Sequence, residues 1–381
     1  MTYDKPITYN NNPITGNRKL KRFGKNLFWS LCCPVVFLAI AIILSYASGT
    51  GFFIISTSPF DNLANGLIML RTLTMTLIAA LALNTNLNSG RMDFSLGATG
   101  VLACLFASLI IPGVDTPAHI FAFLFLSILF GMILGFIHSI VLILTKLSPI
   151  VISLGMCLIY EGISKVVAVA TGSTGNVNLV SGSHTSSFFQ EPIILIPLLA
   201  IICVIMAAAL CYTRFGYNKL ALVYNQKISV DTGINEISHC IASFIIAGGL
   251  IAIYQVMTSC GTASITINVN LASSGSVFKN FLPIFIGGIL ARYSNQIVGL
   301  LLGVFATTVL YNYGFDNASV IGLSATISSL LNGFSVFAVL VYMVDKNRFM
   351  NWLKMRSYLT YSLGGIWGMA IPHMWLLPDI G

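Results

Sequence analysis

Long apolar runs alternate with short polar ones along almost the whole chain. Runs of 18 or more apolar residues read as membrane-crossing helices, because a helix rising about 1.5 Å per residue needs about 20 residues to cross roughly 30 Å of hydrocarbon. By that ruler, segments 27–48, 62–84, 94–111, 119–145, 149–170, 192–213, 237–257, 279–291, 297–313 and 319–343 are expected to be spans. The eighth is short and rich in Pro and Gly. It reads as a broken or re-entrant helix, a form tolerated only when buried in protein. The expected fold is therefore an all-α polytopic membrane protein of about ten helices.

Residues 1–26 are polar, basic and rich in Asn, and are expected to be disordered. The apolar membrane body covers 27–345. The first run is too long, and its basic flank too long, for a cleaved signal peptide, so it reads as a retained span. Residues 346–381 form a tail that is cytoplasmic or interfacial. Within it, 358–378 suits an extra membrane segment or a re-entrant one.

Composition sharpens this. Of 381 residues, 56% are hydrophobic and only 8% are charged. Soluble domains carry about a quarter charged residues, so a water-facing surface is excluded. The net charge of +8 would suggest nucleic acid in a soluble protein. Here it follows the rule that Lys and Arg collect in cytoplasmic loops. With the N-terminus cytoplasmic, all but three of the 19 Lys and Arg fall in inner segments and none in outer loops. The three are Arg71, Lys165 and Lys279, within or at the ends of spans. Both termini are thus expected to be cytoplasmic.

The eight cysteines show no CxxC, and nearly all lie in or beside apolar runs, with Cys260 expected in an outer loop. Neither a disulfide framework nor a metal site is expected. No G-x-x-x-x-G-K-[ST] loop occurs. Uphill movement of a solute would draw on an ion gradient or on another subunit. A membrane enzyme would need paired carboxylates or His/Cys constellations that the sequence lacks. His138, alone in the fourth span, reads as a packed, hydrogen-bonded side chain.

Charge inside a bilayer is expensive and therefore points to function. Arg71 lies mid-span and either packs on helix carbonyls or lines a polar path. Glu161 and Lys165, four apart, share a helix face and are expected to form a structural ion pair. The stretch "NSGRMDFSLGATG" (88–100), with Asn84 and Asn86 before it, gathers Gly90, Arg91, Asp93, Ser95 and Gly97 at a span boundary. Its amides and hydroxyls suit a polar solute, and its glycines suit a helix break of the kind transporters place near their sites. Arg91 and Asp93 are expected to shape a polar mouth or to pair with each other. Residues 213–237 form the longest internal hydrophilic loop. Its apolar positions Leu220, Val223 and Ile228 fit one short amphipathic helix, with Gly233 as a cap. Such a helix suits a docking surface for another subunit.

These motifs carry a resemblance. "GRMDFSLGA" is similar to the Gly-Gly-Ile-Asp-Leu-Ser-Val-Gly signature of permease subunits of ATP-binding-cassette importers for ribose, galactose and related sugars. It matches at Gly90, Asp93, Ser95 and Gly97. "SPIVISLGMCLIYEGI" resembles a second segment of that family, at Pro149, Leu154, Gly155 and Met156. Residues 213–235 resemble its cytoplasmic coupling loop, at Asn225, Thr232, Gly233 and Ile234, with Gly216 and Lys227 in the same stretch. Arg91 stands where the family has its second signature glycine. Ile228 and Ser229 stand where alanines are common, and Arg292 and Asn295 alter a later glycine-rich turn.

The resemblance implies two inverted helical halves and a path for a monosaccharide or similar small polar solute. It implies a cell-membrane location in a bacterium. The expected partners are a second permease subunit, identical or not, a cytoplasmic ATPase and an extracytoplasmic solute-binding protein. This chain needs no cofactor of its own, is no enzyme and binds no nucleic acid; ATP is used by the partner. A nucleoside, a vitamin or a signalling sugar is an alternative cargo. An ion-coupled secondary transporter with Glu161 as its coupling carboxylate is the alternative of a different class.

Overall fold

The computed structural model describes most residues between 59 and 310, with breaks at 88–90, 112–113, 115, 174, 180–190, 225, 279 and 292–295, together with parts of 28–43 and a few positions at 330–337. The tail segment 358–378, nearly all of span 319–343, and Gly90, Asn225, Lys279, Arg292 and Asn295 lie outside the described residues.

Helices fill the expected apolar runs. They are α1 (Pro59–Leu87), α2 (Leu96–Ile110), α3 (Pro117–Thr145) and α4 (Pro149–Ala170). Next come a short strand β1 (Asn176–Asn178) and α5 (Pro192–Ala207), which continues as a π-helical turn, Ala208–Tyr212. α6 (Arg214–Tyr224), α7 (Gln226–Asp231) and α8 (Glu236–Thr262) follow, then β2 (Ser264–Thr266), α9 (Ala272–Phe278), α10 (Phe281–Leu290) and α11 (Gln296–Val309). An apolar helix over Ser30–Ile43 sets Ala41 against Val309 of α11. Five helices among the described residues are long and apolar enough to cross a membrane. The short eighth run, expected to be broken or re-entrant, holds a single ten-residue helix, α10, with the separate short α9 just before it.

Local chemistry sets the boundaries. Pro117, Pro149 and Pro192 each open a helix, where a missing N–H costs nothing. Thr116 and Asn235 cap α3 and α8 by accepting from the N–H groups of His119 and Ser238.

Helix α8 is the hub. It packs against α3, α1 and α2, and its contact with α3 is the most extensive among the described residues. That closeness rests on glycine. A Cβ at Gly131 of α3 would overlap the Gly248 carbonyl of α8, and one at Gly248 would overlap the Gly131 carbonyl. Small residues let helix backbones meet where lipid offers no hydrophobic drive toward association. The more polar α8 is the more buried helix, and the strongly apolar α5 is the more exposed one. This inverts the soluble pattern and fits a hydrocarbon surround.

Two features depart from expectation. β1 and β2 pair antiparallel, with Val177 opposite Ile265, and close the end of the bundle reached by the last turn of α8. Cys260, expected in an outer loop, is buried in that last turn.

Candidate functional site

Between α1 and α2 the chain leaves the helix, and Arg91–Ser95 runs as buried, irregular backbone. Asp93 is the cause. Its Oδ1 accepts from the Ser95 N–H at 2.9 Å and the Ser95 hydroxyl at 2.7 Å. Such local side-chain bonds compete with the helical ladder, and α2 begins only after them. Asn86 Nδ2 makes a long 3.4 Å bond to Oδ2. His138 of α3 brings Nδ1 within 2.8 Å of Ser95 Oγ and 3.6 Å of Asp93 Oδ1. The Ser95 hydroxyl has one proton and gives it to Asp93, so His138 Nδ1 is the donor to Ser95. That assignment leaves His138 Nε2 buried and unpartnered, as is Asn86 Oδ1. The ring of Phe244 covers His138, with centroids 4.8 Å apart.

The structure thus brings Asn86, Asp93 and Ser95 together and adds His138, which sequence reading left isolated. The signal was present: it is the one imidazole in the interior of the long apolar α3.

Arg91 does not neutralise Asp93. Its guanidinium pairs with the Glu236 carboxylate in the first turn of α8, 145 residues on. The oxygens of Asp93 are already engaged by Ser95 and Asn86, whereas Glu236 stands at the helix end. Both partners are partly exposed, so the pair is worth about 0.2–1 kcal/mol.

The 213–237 loop folds as two helices, α6 and α7, rather than the one expected. Gly216 allows α6 to sit against the π-helical turn, since a Cβ there would overlap the Leu210 carbonyl. Gly233 ends α7 at φ +94°, with its N–H bonded to Val230 O and the N–H of Ile234 to Ser229 O. That left-handed position suits glycine. Thr232 Oγ1 also donates to Ser229 O, at 2.9 Å. The Lys227 side chain lies outside the described residues.

Sequence reading passed over Lys219. It is 2% exposed, and its Nζ donates to the main-chain carbonyl of Asn84 at 3.1 Å. Asn84 lies in the last turn of α1, at the negative end of the helix dipole. Burial pushes the Lys219 ammonium down to about 7.

Glu161 has a role besides its helix spacing to Lys165. Its two carboxylate oxygens accept the backbone N–H groups of Leu271 and Ser273, each at 2.8 Å. They hold a turn in which Asn270 and Leu271 adopt φ +60° and +64°. Consecutive left-handed residues other than glycine are strained, and bulky Leu271 especially so. Arg71 lies with its guanidinium against the backbone of Gly261 in α8, and its Nε is buried without a hydrogen bond. Gly97, in the first turn of α2, borders a cavity.

Residues 63–344 match the model of the family described as branched-chain amino acid transport system / permease component. The chain is similar to the fructose import permease protein FruF of Bifidobacterium longum (strain NCC 2705), 26% identical over 289 residues covering 72% of this chain and 76% of that protein. It is also similar to the autoinducer 2 import system permease protein LsrD of Escherichia coli (strain SMS-3-5 / SECEC), 23% identical over 291 residues, 74% of this chain and 84% of that one. Over a shorter stretch of 99 residues, identity to LsrD of Escherichia coli (strain K12) reaches 34%, covering 26% of this chain and 29% of that protein.

Proposed function

The chain belongs to the family of branched-chain amino acid transport system permease components, and from that premise we propose that it is the membrane-spanning subunit of an ATP-driven importer of a monosaccharide or similar small polar solute. ATP is hydrolysed by a separate cytoplasmic ATPase. A second permease subunit and an extracytoplasmic solute-binding protein complete the assembly, in the cell membrane of a bacterium. The α6–α7 end faces the cytoplasm, as the distribution of Lys and Arg favours.

The single observation that carries this reading is the linkage from α6 to the polar break. Lys219 grips the end of α1 at Asn84, and Arg91 at the start of the break grips Glu236 at the start of α8. A partner that moves α6 and α7 therefore pulls on the end of α1 and, through the short connection from α7, on the start of α8, to which Arg91 of the break is tied. Asp93, Ser95 and His138 hold that break in one arrangement. Alternating access follows if ATPase closure shifts the break relative to α8. Sugar-type cargo draws support from the two relatives matched over most of their length, a fructose import permease and an autoinducer 2 import permease.

The test is isolation of the tagged chain from its host membrane. The account expects an ABC ATPase to co-purify, and to be lost when α6 and α7 are replaced by a flexible linker of equal length. Co-purification that survives the replacement would remove α6–α7 from the coupling role.

A further inference from the structure

A cavity of about 150 Å³, lined by uncharged side chains that include several hydroxyls and amides, lies between α2 and α8, bordered by β2 and by the turn that leads into α9. It sits just beyond the Arg91–Ser95 break: Gly97, two residues after Ser95, forms part of its lining, and Ser273 forms another part. We infer that this cavity is a holding point on the solute path for a neutral, polyhydroxylated molecule of about one six-membered ring. The inference rests on the importer reading above and specifies where the solute is held and what its chemistry must be.

Three observations carry it. The first is size. The cavity of about 150 Å³ takes one benzene-sized ring, and the exposed Thr262 and Thr266 leave it open at one side, with room for the ring's hydroxyl substituents.

The second is charge. Every residue lining the cavity is uncharged. A zwitterionic amino acid entering it would shed water from an ammonium and a carboxylate without meeting a countercharge, at a cost of several kcal/mol per ion. A neutral polyol sheds only hydroxyl hydration, which amide and hydroxyl groups replace.

The third is unused hydrogen-bonding capacity. Among the described residues, the half-buried Asn268 carboxamide and the Thr266 hydroxyl, exposed at the cavity rim, make no hydrogen bond within the protein. Gln255 gives one N–H to Ser259 Oγ, at 3.3 Å, and keeps its second N–H and its carbonyl oxygen. Thr258 donates to Tyr254 O and keeps its oxygen lone pairs toward acceptance. Donors and acceptors of both kinds thus converge on one small space. The ring of Tyr254 adds a flat apolar face, which suits the C–H face of a sugar.

The wall is built rather than incidental. Glu161 fixes the Leu271 and Ser273 amides, so Asn268 and Ser273 are carried on a turn pinned to α4. Glu161 is a positioning residue for the cavity. Its carboxylate is engaged by the backbone amides of Leu271 and Ser273 and is not itself part of the lining.

The experiment uses cells producing the full chain with its own ATPase and binding protein. Uptake of radiolabelled fructose, ribose and leucine is measured at saturating solute, so that the binding protein does not limit the rate. Wild type is expected to import at least one of the two sugars and not leucine. Asn268→Ala and Thr266→Val, each removing one hydrogen-bonding group, are expected to lower the maximal sugar rate about fivefold, as the loss of one hydrogen bond implies. Membrane abundance and ATPase co-purification are expected to stay at wild-type level. Sugar import that is unchanged in both variants overturns the cavity assignment and leaves the importer reading intact. Leucine import without sugar import overturns the solute class itself.

Discussion

The Nζ of Lys219 donates to the main-chain carbonyl of Asn84 at 3.1 Å, across 135 residues of sequence. This buried contact ties the α6 helix to the end of the helix that precedes the polar break. Replacing Lys219 with Met keeps most of the apolar stem but removes its hydrogen bond to the Asn84 carbonyl, at about 1–3 kcal/mol. Thermal unfolding in detergent is expected to occur at lower temperature, and solute uptake per ATPase complex to fall.

The same lysine gives a pH signature. Its folded-state value is lowered to about 7, from an ordinary 10.5. Between those values the unfolded chain holds the proton and the folded one does not, so stability rises with pH across that window. Below pH 7 both states are charged and the trend stops. Detergent melting curves from pH 7 to pH 10 are expected to show the rise in wild type and a flatter profile in Lys219→Met.

Gly216→Val is expected to separate α6 from the π-helical turn at Leu210. Overpacking of this kind costs about 1–3 kcal/mol. The reading predicts loss of ATPase co-purification while the spans remain inserted, which protease protection of the membrane-embedded helices checks. Retained co-purification would show that α6 need not lie against Leu210.

At the α3–α8 crossing, Gly131→Leu forces apart backbones that meet at Gly248. Here the expected outcome is failure of the whole bundle, seen as low membrane abundance. Gly155→Ala on α4, where an added methyl meets nothing, is expected to leave abundance unchanged.

The pairing of Arg91 with Glu236 predicts a charge-reversal rescue. Arg91→Glu alone and Glu236→Arg alone set like charges together and are expected to reduce uptake several-fold. The double exchange is expected to recover most of it. Asp93→Asn is expected to show no rescue by any change at Arg91, because Asp93 serves Ser95 and Asn86 instead.

The apolar runs made the helices legible because membrane helices obey one length rule, and the eight runs from 62–84 to 297–313 each hold a helix. The break at Asp93 was legible too, since Asn, Ser, Gly and Asp cluster there. The partners were not. Arg91–Glu236, Lys219–Asn84, and Glu161 with Ser273 each join residues more than 100 positions apart, and sequence spacing reports only neighbours on one helix. Arg91 and Asp93 looked like a pair because they are close in sequence, yet an aspartate two residues before a serine satisfies itself locally. The β1–β2 pairing was hidden because each strand is only three residues long.

The central claim is that this chain passes a neutral polar solute on energy delivered by a separate ATPase. The most direct test is solute accumulation in proteoliposomes holding the chain with its ATPase and binding protein, with ATP as the only energy source. The account predicts sugar uptake that requires ATP and persists when protonophore and sodium ionophore collapse all ion gradients. Uptake by the chain alone, driven by a proton or sodium gradient and indifferent to ATP, would contradict it.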